Sequence, residues 1–206
     1  LFFRKKIHFY QFFMIPVVFF VSLVPAWAAG APLRDLLLTY SNQFITYNEL
    51  SKRAPNFYAF LESETPAYNS IVLTGIFVTL IIVFGYLIVR IVKWKNLEPK
   101  SLILDAALFT FMIPFLLPKM HDRYFYLASA FLLILCFYDF RALGILFLSQ
   151  TGSLLAFVPY FTGWKNTFVM AGVPFMLLSA IGITYMTVQY HNQKAKFIGE
   201  KSGVDE

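Results

Sequence analysis

The chain has 206 residues, of which 59% are hydrophobic and only 14% are charged, and it carries 25 Phe and 12 Tyr. Globular domains are typically about 45–50% apolar, so this excess excludes a disordered or highly charged soluble protein and predicts a membrane protein. The formal net charge of +6 comes from cations clustered between apolar runs, which favours signals of membrane orientation over binding of nucleic acid. The single cysteine, Cys136, excludes an internal disulfide.

The apolar residues are gathered into runs that approach the length of a membrane span. Roughly 20 residues of helix are needed to cross about 30 Å of hydrocarbon. Six runs qualify, at 7–29, 71–89, 102–118, 124–138, 142–160 and 167–190, and only the third contains a charged residue, Asp105. We therefore predict an all-α fold: a polytopic transmembrane helix bundle of about six spans over residues 1–193, with a cytoplasmic tail at 194–206.

The first run has two interpretations. Basic residues at 4–6, an apolar stretch and Ala26-Trp27-Ala28 resemble the three parts of a secretory signal peptide. The apolar stretch is longer than the usual 7–15 residues, which favours a membrane span instead. Either interpretation leaves the sidedness of the later runs unchanged.

The distribution of Lys and Arg predicts the orientation. With six crossings, eleven cations fall on one side: Arg4, Lys5, Lys6, Arg90, Lys93, Lys95, Lys100, Arg141, Lys194, Lys196 and Lys201. Six fall on the other: Arg34, Lys52, Arg53, Lys119, Arg123 and Lys165. Because cytoplasmic loops carry the excess of Lys and Arg, we expect a multi-pass protein of the cell membrane with both chain termini in the cytoplasm.

The one long connection, residues 30–70, is predicted to lie outside and to be helical. Pro32 suits the first position of a helix, and apolar residues recur near helical spacing from 33 to 47 with polar residues between them. We expect an amphipathic helix that lies on the outer membrane face or caps the bundle. A second short element, with Phe57, Tyr58 and Phe60, follows the break at Pro55.

The third and fourth runs are joined by a polar turn of five residues, 119–123. Lys119 and Arg123 offer permanent cations, and His121 and Asp122 add an imidazole and a carboxylate beside the bilayer core. Arg forms a bidentate fork with phosphate oxygens, Lys supplies a point charge, and His can shuttle a proton near neutral pH. The alternative is an ordinary charged turn. The adjacent His121 and Asp122 cannot fill a metal site alone, so we expect no metal and name no cofactor.

Polar residues inside the runs suggest packing more than chemistry. Asp105 and Asp139 lie near cytoplasmic helix ends, and Asp139 is placed to pair with Arg141. In the fifth run Gly152 and Ala156, four residues apart, allow close helix packing. The polar residues beside them, Gln150, Thr151 and Ser153, favour interhelical hydrogen bonds over lining a substrate path.

Two stretches resemble a known family. LPKMHDRYFYLA, residues 117–128, is similar to the P-[KR]-M-H-E-R-Y-F signature of polytopic GT-C-type glycosyltransferases, and in particular of bacterial proteins related to the GPI-anchor mannosyltransferases. APNFY, residues 54–58, resembles an outer-loop element of the same group. The resemblance covers about 100 residues, 32–138. The chain departs from the signature at Asp122, where the family usually shows Glu.

The resemblance implies transfer of a sugar, hexosyl or mannosyl, from a polyprenyl-phosphate donor at the extracytoplasmic face. In that family the proposed catalytic base is an acidic residue of the first outer loop, and no such motif precedes residue 7. We therefore expect the chain to be the C-terminal part of a longer enzyme, with the catalytic residue upstream. Other expected partners are membrane lipids.

The resemblance also implies roles for individual residues. Lys119 and Arg123 would bind the donor phosphate, and His121 would donate a hydrogen bond or proton to it. The expected substrate-lining residues are Asn56, Tyr58, Tyr124 and Tyr126. For Asn56 and Tyr58 a bracing role in the outer loop is the alternative. A transporter or flippase of lipid-linked sugars is the alternative function, because it would need the same phosphate-binding turn.

Overall fold

The computed structural model describes residues 8–39, 48–61, 64–94, 97–163 and 167–202. The chain forms two compact units, Leu1–Asn48 and Glu49–Glu206. Helices make up nearly all the regular structure of the described residues, and the sheet found there has two strands of two residues each. The predicted all-α class is therefore confirmed.

The first unit contains one long apolar helix and one short one. Helix α1 is Met14–Ala28, preceded by a 3-10 turn at Phe9–Phe13. Gly30, at φ 95°, follows the end of α1, and α2, Leu33–Leu37, begins after Pro32 rather than at it. The rest of the predicted amphipathic helix, 40–47, lies outside the described residues. The stretch Tyr10–Ala28 is long and apolar enough to cross a membrane.

The second unit contains the remaining elements. Strand β1, Ser51–Lys52, precedes a 3-10 turn at Phe57–Phe60. Helices α3, Tyr68–Val92, and α4, Pro99–Leu116, follow. Strand β2, Met120–His121, leads into a 3-10 turn at Asp122–Phe125. Helices α5, Tyr126–Cys136, α6, Ala142–Thr162, and α7, Thr167–Ser202, complete the unit.

Within the described residues, five helical segments are long and apolar enough to cross a membrane. They are Tyr10–Ala28, Tyr68–Val92, Pro99–Leu116, Ala142–Thr162 and Thr167–Phe197. Five of the six apolar runs therefore form helices of spanning length.

The fourth run differs from its prediction. Helix α5 has 11 residues, which at a rise of about 1.5 Å per residue is roughly 17 Å and too short to span alone. The turn that follows α5 is ordered by Asp139, whose carbonyl accepts the N–H of Ala142 at 2.9 Å and whose carboxylate accepts that of Arg141 at 3.2 Å. Lys100 Nζ lies 2.8 Å from Asp139 Oδ2, so α5 and its flanking turns run back along α4 to its beginning.

The core of this unit lies between α4, α5, α6 and α7. Its largest fully buried apolar side chains include Leu104, Phe111, Phe125, Leu132, Met176 and Ile183. By contrast, α3 exposes a row of large apolar side chains, among them Phe77, Ile81 and Ile88. In a helix of spanning length such a row is a lipid-facing surface.

Helices α6 and α7 approach each other through glycine. A Cβ added to Gly172 would lie 2.7 Å from the carbonyl oxygen of Gly152, and one added to Gly152 would lie 2.7 Å from Met176 Cγ. Ala156, one turn further along α6, is fully buried. The predicted close packing at Gly152 and Ala156 is confirmed, because the two backbones meet where no side chain separates them.

Candidate functional site

The small sheet joins the outer loop to the hairpin turn. Strands β1 and β2 are parallel, with Ser51 opposite Met120 and Lys52 opposite His121. Lys119 N donates to Leu50 O at 2.8 Å, and Arg53 forms an isolated bridge with His121. This pairing was not predicted, since two-residue strands leave no alternating pattern in the sequence. It brings together the two stretches that carry the family resemblance.

Two cations next to these strands have left-handed backbones. Arg53, at φ 57°, and Lys119, at φ 62°, are the non-glycine residues with positive φ in the described chain. This conformation costs an L-residue about 1–2 kcal/mol. Strain of this kind is often found at functional sites, where the surrounding structure holds it in place.

The turn begins where α4 ends, and Asn56 donates hydrogen bonds to carbonyls at the end of that helix. Pro118 has no N–H, so the carbonyl of Pro114 has no partner four residues on. Asn56 Nδ2 donates to Pro114 O and to Leu117 O, each at 3.2 Å. Asn56 is fully buried and its Oδ1 accepts the N–H of Tyr58 at 3.2 Å. Of the two roles predicted for Asn56, these contacts support bracing.

Tyr58 acts on the same helix end. Its hydroxyl donates to Leu116 O at 3.0 Å, and burial raises the pKa of the Tyr58 phenol. The ring fits because Gly75 of α3 has no side chain, since a Cβ there would lie 2.2 Å from the Tyr58 hydroxyl. Only 9% of Tyr58 is exposed, so bracing is the role that the structure supports for this residue too.

His121 lies at the centre of the turn cluster, which we define as Lys119, His121, Asp122 and Arg123. Its Nδ1 contacts the carboxylate of Asp122, which is 5% exposed, and its Nε2 lies 3.1 Å from Arg123 Nη2. With Arg123 as donor, the network assigns the proton to Nδ1 and leaves Nε2 as the acceptor. The neighbouring Phe125 is fully buried against Phe111, with ring centroids 5.5 Å apart, and so anchors the turn to the core.

The remaining predicted site residues lie around this cluster. Lys119 Nζ lies over the ring of Tyr68, 5.6 Å from its centroid. Tyr124 is 47% exposed and meets His121 edge to face at 6.4 Å. Tyr126 is 55% exposed and stacks on Phe157 at 6.2 Å. Tyr124 and Tyr126 thus present open ring surfaces, in contrast with Asn56 and Tyr58.

Arg53 also belongs to this region, although from the sequence its only predicted role is in the orientation of the chain across the membrane. Its guanidinium carbon lies 4.0 Å from the centroid of the Tyr160 ring. Its backbone pairs with that of His121. The available signal was its position directly before Ala54-Pro55-Asn56, the outer-loop stretch of the resemblance.

A second polar cluster lies at the opposite end of the helices. Asp105 accepts from Arg90 Nε at 2.7 Å, from the Tyr86 hydroxyl, and bonds His191 Nε2 at 3.0 Å. The His191 ring is stacked on Trp94 at 4.8 Å. The partners of Asp105 were not predicted from the sequence, although Arg90 and His191 stand at the ends of the second and sixth apolar runs.

The predicted pairing of Asp139 with Arg141 is confirmed at 2.8 Å.

The described residues contain no group of three or more His, Cys, Asp or Glu side chains that could hold a metal ion. Comparison of the chain with protein-family models, with curated proteins and with solved structures finds no match.

Proposed function

We propose that the chain is part of an integral membrane glycosyltransferase that transfers a hexose, such as mannose, from a polyprenyl-phosphate donor at the extracytoplasmic face. One observation carries this proposal. The pairing of β1 with β2 brings residues 54–58 and 117–128, which resemble two separate motifs of the GT-C-type enzymes, to the same end of the helices.

The charge of this end suits a phosphate. Arg53, Lys119 and Arg123 outnumber the one carboxylate of the turn cluster, Asp122. Asp122 is also occupied by His121, and so its charge is turned away from an incoming anion. Arginine binds phosphate oxygens through paired N–H groups, which gives both affinity and orientation.

We assign separate roles to the residues of the turn cluster and its neighbours. Arg123 and Lys119 hold the donor phosphate, and Tyr124 and Tyr126 line the lipid or sugar. When Arg123 turns its N–H groups to the phosphate, His121 Nε2 is released from its present contact. In its protonated form His121 would donate from Nε2 to the phosphate as charge develops there during bond cleavage, with Asp122 at Nδ1 balancing the charge of the ring.

The test is a transfer assay with the complete gene product in liposomes, using polyprenyl-phosphate mannose as donor. His121→Ala and Arg123→Ala should each lower kcat/KM by about tenfold to a hundredfold or more, because a charged hydrogen bond or an acid catalyst is lost. Lys93→Ala, an exposed cation at the other end of α3, is the control and should not change the rate. Unchanged transfer in both turn variants would refute the role assignment.

The same liposomes address the alternative function. A transporter or flippase would move a fluorescent lipid-linked sugar across the bilayer without releasing polyprenyl phosphate. Movement without chemistry in the wild-type protein would therefore replace the transferase proposal with transport.

A further inference from the structure

Among the described residues, Arg53 has no carboxylate partner, and the contact of its guanidinium is with the Tyr160 ring. Its side chain is half-buried, and no described residue accepts a hydrogen bond from its guanidinium or pairs with it as a carboxylate. A guanidinium carries five N–H donors, and withdrawing a charge from water without a counterion is unfavourable. The Tyr160 ring supports the flat face of the group and leaves the donors in its plane open to a ligand.

The backbone of Arg53 is held in place for this arrangement. Its left-handed conformation, at φ 57°, is unfavourable for an arginine and is maintained by the bridge to His121. The other arginine of the region, Arg123, reaches His121 through its side chain at 3.1 Å. Two arginines on different segments therefore converge on one histidine.

A row of aromatic rings continues from Arg53 along α6 to the start of α5. Tyr160 packs against Phe157 with centroids 5.8 Å apart, and Phe157 stacks on Tyr126 at 6.2 Å with an interplanar angle of 8°. Tyr160 is 48% exposed and Tyr126 is 55% exposed. An unpaired cation thus stands at one end of an apolar ring surface.

We propose that Arg53 and Tyr160 form a second arm of the phosphate site. This arm comes from the outer loop, whereas Arg123 comes from the hairpin turn, and it selects a phosphate attached to an apolar chain. The guanidinium of Arg53 binds the phosphate oxygens, and the row Tyr160, Phe157 and Tyr126 contacts the first isoprene units. The inference rests on the proposed function, since it names the ligand class of the same site. Of the two arginines, Arg53 is the one whose guanidinium contacts the ring surface, through Tyr160, so it can join phosphate binding to contact with the prenyl chain.

The test measures ligand binding by the full chain in phosphatidylcholine nanodiscs. The probes are farnesyl phosphate, farnesol and inorganic phosphate. The wild-type protein should bind farnesyl phosphate at least about tenfold more tightly than either farnesol or inorganic phosphate, because only this probe engages both the arm and the rings. Equal binding of inorganic phosphate would overturn the lipid part of the proposal.

Matched variants separate the two parts of the arm. Arg53→Gln should weaken farnesyl phosphate binding about tenfold, as expected for a lost charged hydrogen bond, and leave farnesol binding unchanged. Tyr160→Leu should weaken both prenyl probes several-fold, whereas Tyr160→Phe, which keeps the ring, should bind like the wild type. Arg34→Gln, the same charge change on an exposed residue of the first unit, should have no effect.

The outcomes distinguish this inference from the proposed function. If the wild type binds farnesyl phosphate but Arg53→Gln binds it equally well, the second arm is wrong and the turn cluster still stands. An equal loss in Arg34→Gln would also overturn the arm, since general surface charge would then explain the binding. If the wild type binds no prenyl phosphate, both proposals fail.

Discussion

At the scale of single residues, Asn56 supports the candidate site through hydrogen bonds to the backbone. It is fully buried, and its amide closes the end of α4 that Pro118 leaves open. The cations of the turn follow directly after that helix end. Asn56 therefore positions the turn cluster.

Replacing Asn56 by Ala should lower the free energy of unfolding by about 1–3 kcal/mol, because buried carbonyls lose their donor. The measurement is thermal unfolding in detergent, with Asn48→Ala, at an exposed residue, as control. If Asn56→Ala kept its stability but lost sugar transfer, Asn56 would be a substrate contact and the bracing role would be wrong.

At the scale of elements, the contact of α6 with α7 depends on the absence of two side chains. The backbones of Gly152 and Gly172 are so close that a Cβ at Gly172 would lie 2.7 Å from a carbonyl oxygen. A flexible side chain can move aside, but a helix backbone can yield only if the helices separate. The packing of the two longest core helices is therefore sensitive to a single methyl group.

We expect Gly172→Ala to destabilise the protein by about 1–3 kcal/mol, as overpacking commonly does. Gly144→Ala, also on a packed helix of this pair but with no atom within 4 Å of the added Cβ, is the matched control and should be neutral or slightly stabilising. The midpoint of thermal unfolding in detergent distinguishes them. Equal effects of the two changes would contradict the close approach.

The connection between α5 and α6 is held by charge. Hydrogen bonds from the Arg141 guanidinium, together with the Lys100 ammonium, hold the pKa of the Asp139 carboxyl well below its usual range, although partial burial acts in the opposite direction. Asp139 in turn raises the pKa of Arg141. A carboxyl with a lowered folded pKa adds stability above its unfolded pKa, about 3.9, and this contribution is lost as the pH falls through the folded value.

Asp139→Asn should accordingly lower stability at pH 7 by on the order of 1 kcal/mol. The difference from the wild type should shrink as the pH falls below about 4, because the unfolded chain then binds a proton at Asp139 and the ionised carboxylate of the folded state contributes less stability. Unfolding midpoints measured from pH 7 to pH 3 test this. A difference that stays constant with pH would show that the charge of Asp139 is not what stabilises the connection.

At the scale of the whole molecule, the second unit has two chemically different ends. Arg53, the turn cluster and exposed tyrosines lie at one end, and the cluster around Asp105 with the pair of Asp139 and Arg141 lies at the other. The distribution of Lys and Arg predicts that the end with the turn cluster faces outside.

Labelling of introduced cysteines tests this orientation in a Cys136→Ser background. Phe57→Cys and Tyr124→Cys, at exposed positions beside the small sheet, should react with an impermeant reagent from outside, and Lys93→Cys should not. The reverse pattern would overturn the orientation and with it the donor class. Reaction of the first two from opposite sides would contradict the pairing of β1 with β2.

The positions of the membrane helices could be read from the sequence because hydropathy is a local property of each run. The exception is the fourth run, where α5 has 11 residues and is followed by a turn that Asp139 orders before α6 begins at Ala142. The pair of Asp139 and Arg141 was predictable for the same reason, since two residues so close in the chain meet in almost any turn.

The sequence by itself determined that the helices are apolar enough for a membrane, that the fold is helical, and which chemical groups Lys119, His121 and Arg123 offer. Only the tertiary structure decided which residues join them. The pairing of β1 with β2 turned Asn56 towards the end of α4 and placed Arg53 beside His121 and over Tyr160. These contacts link residues far apart in the chain, and no local pattern encodes them because they depend on how whole helices pack.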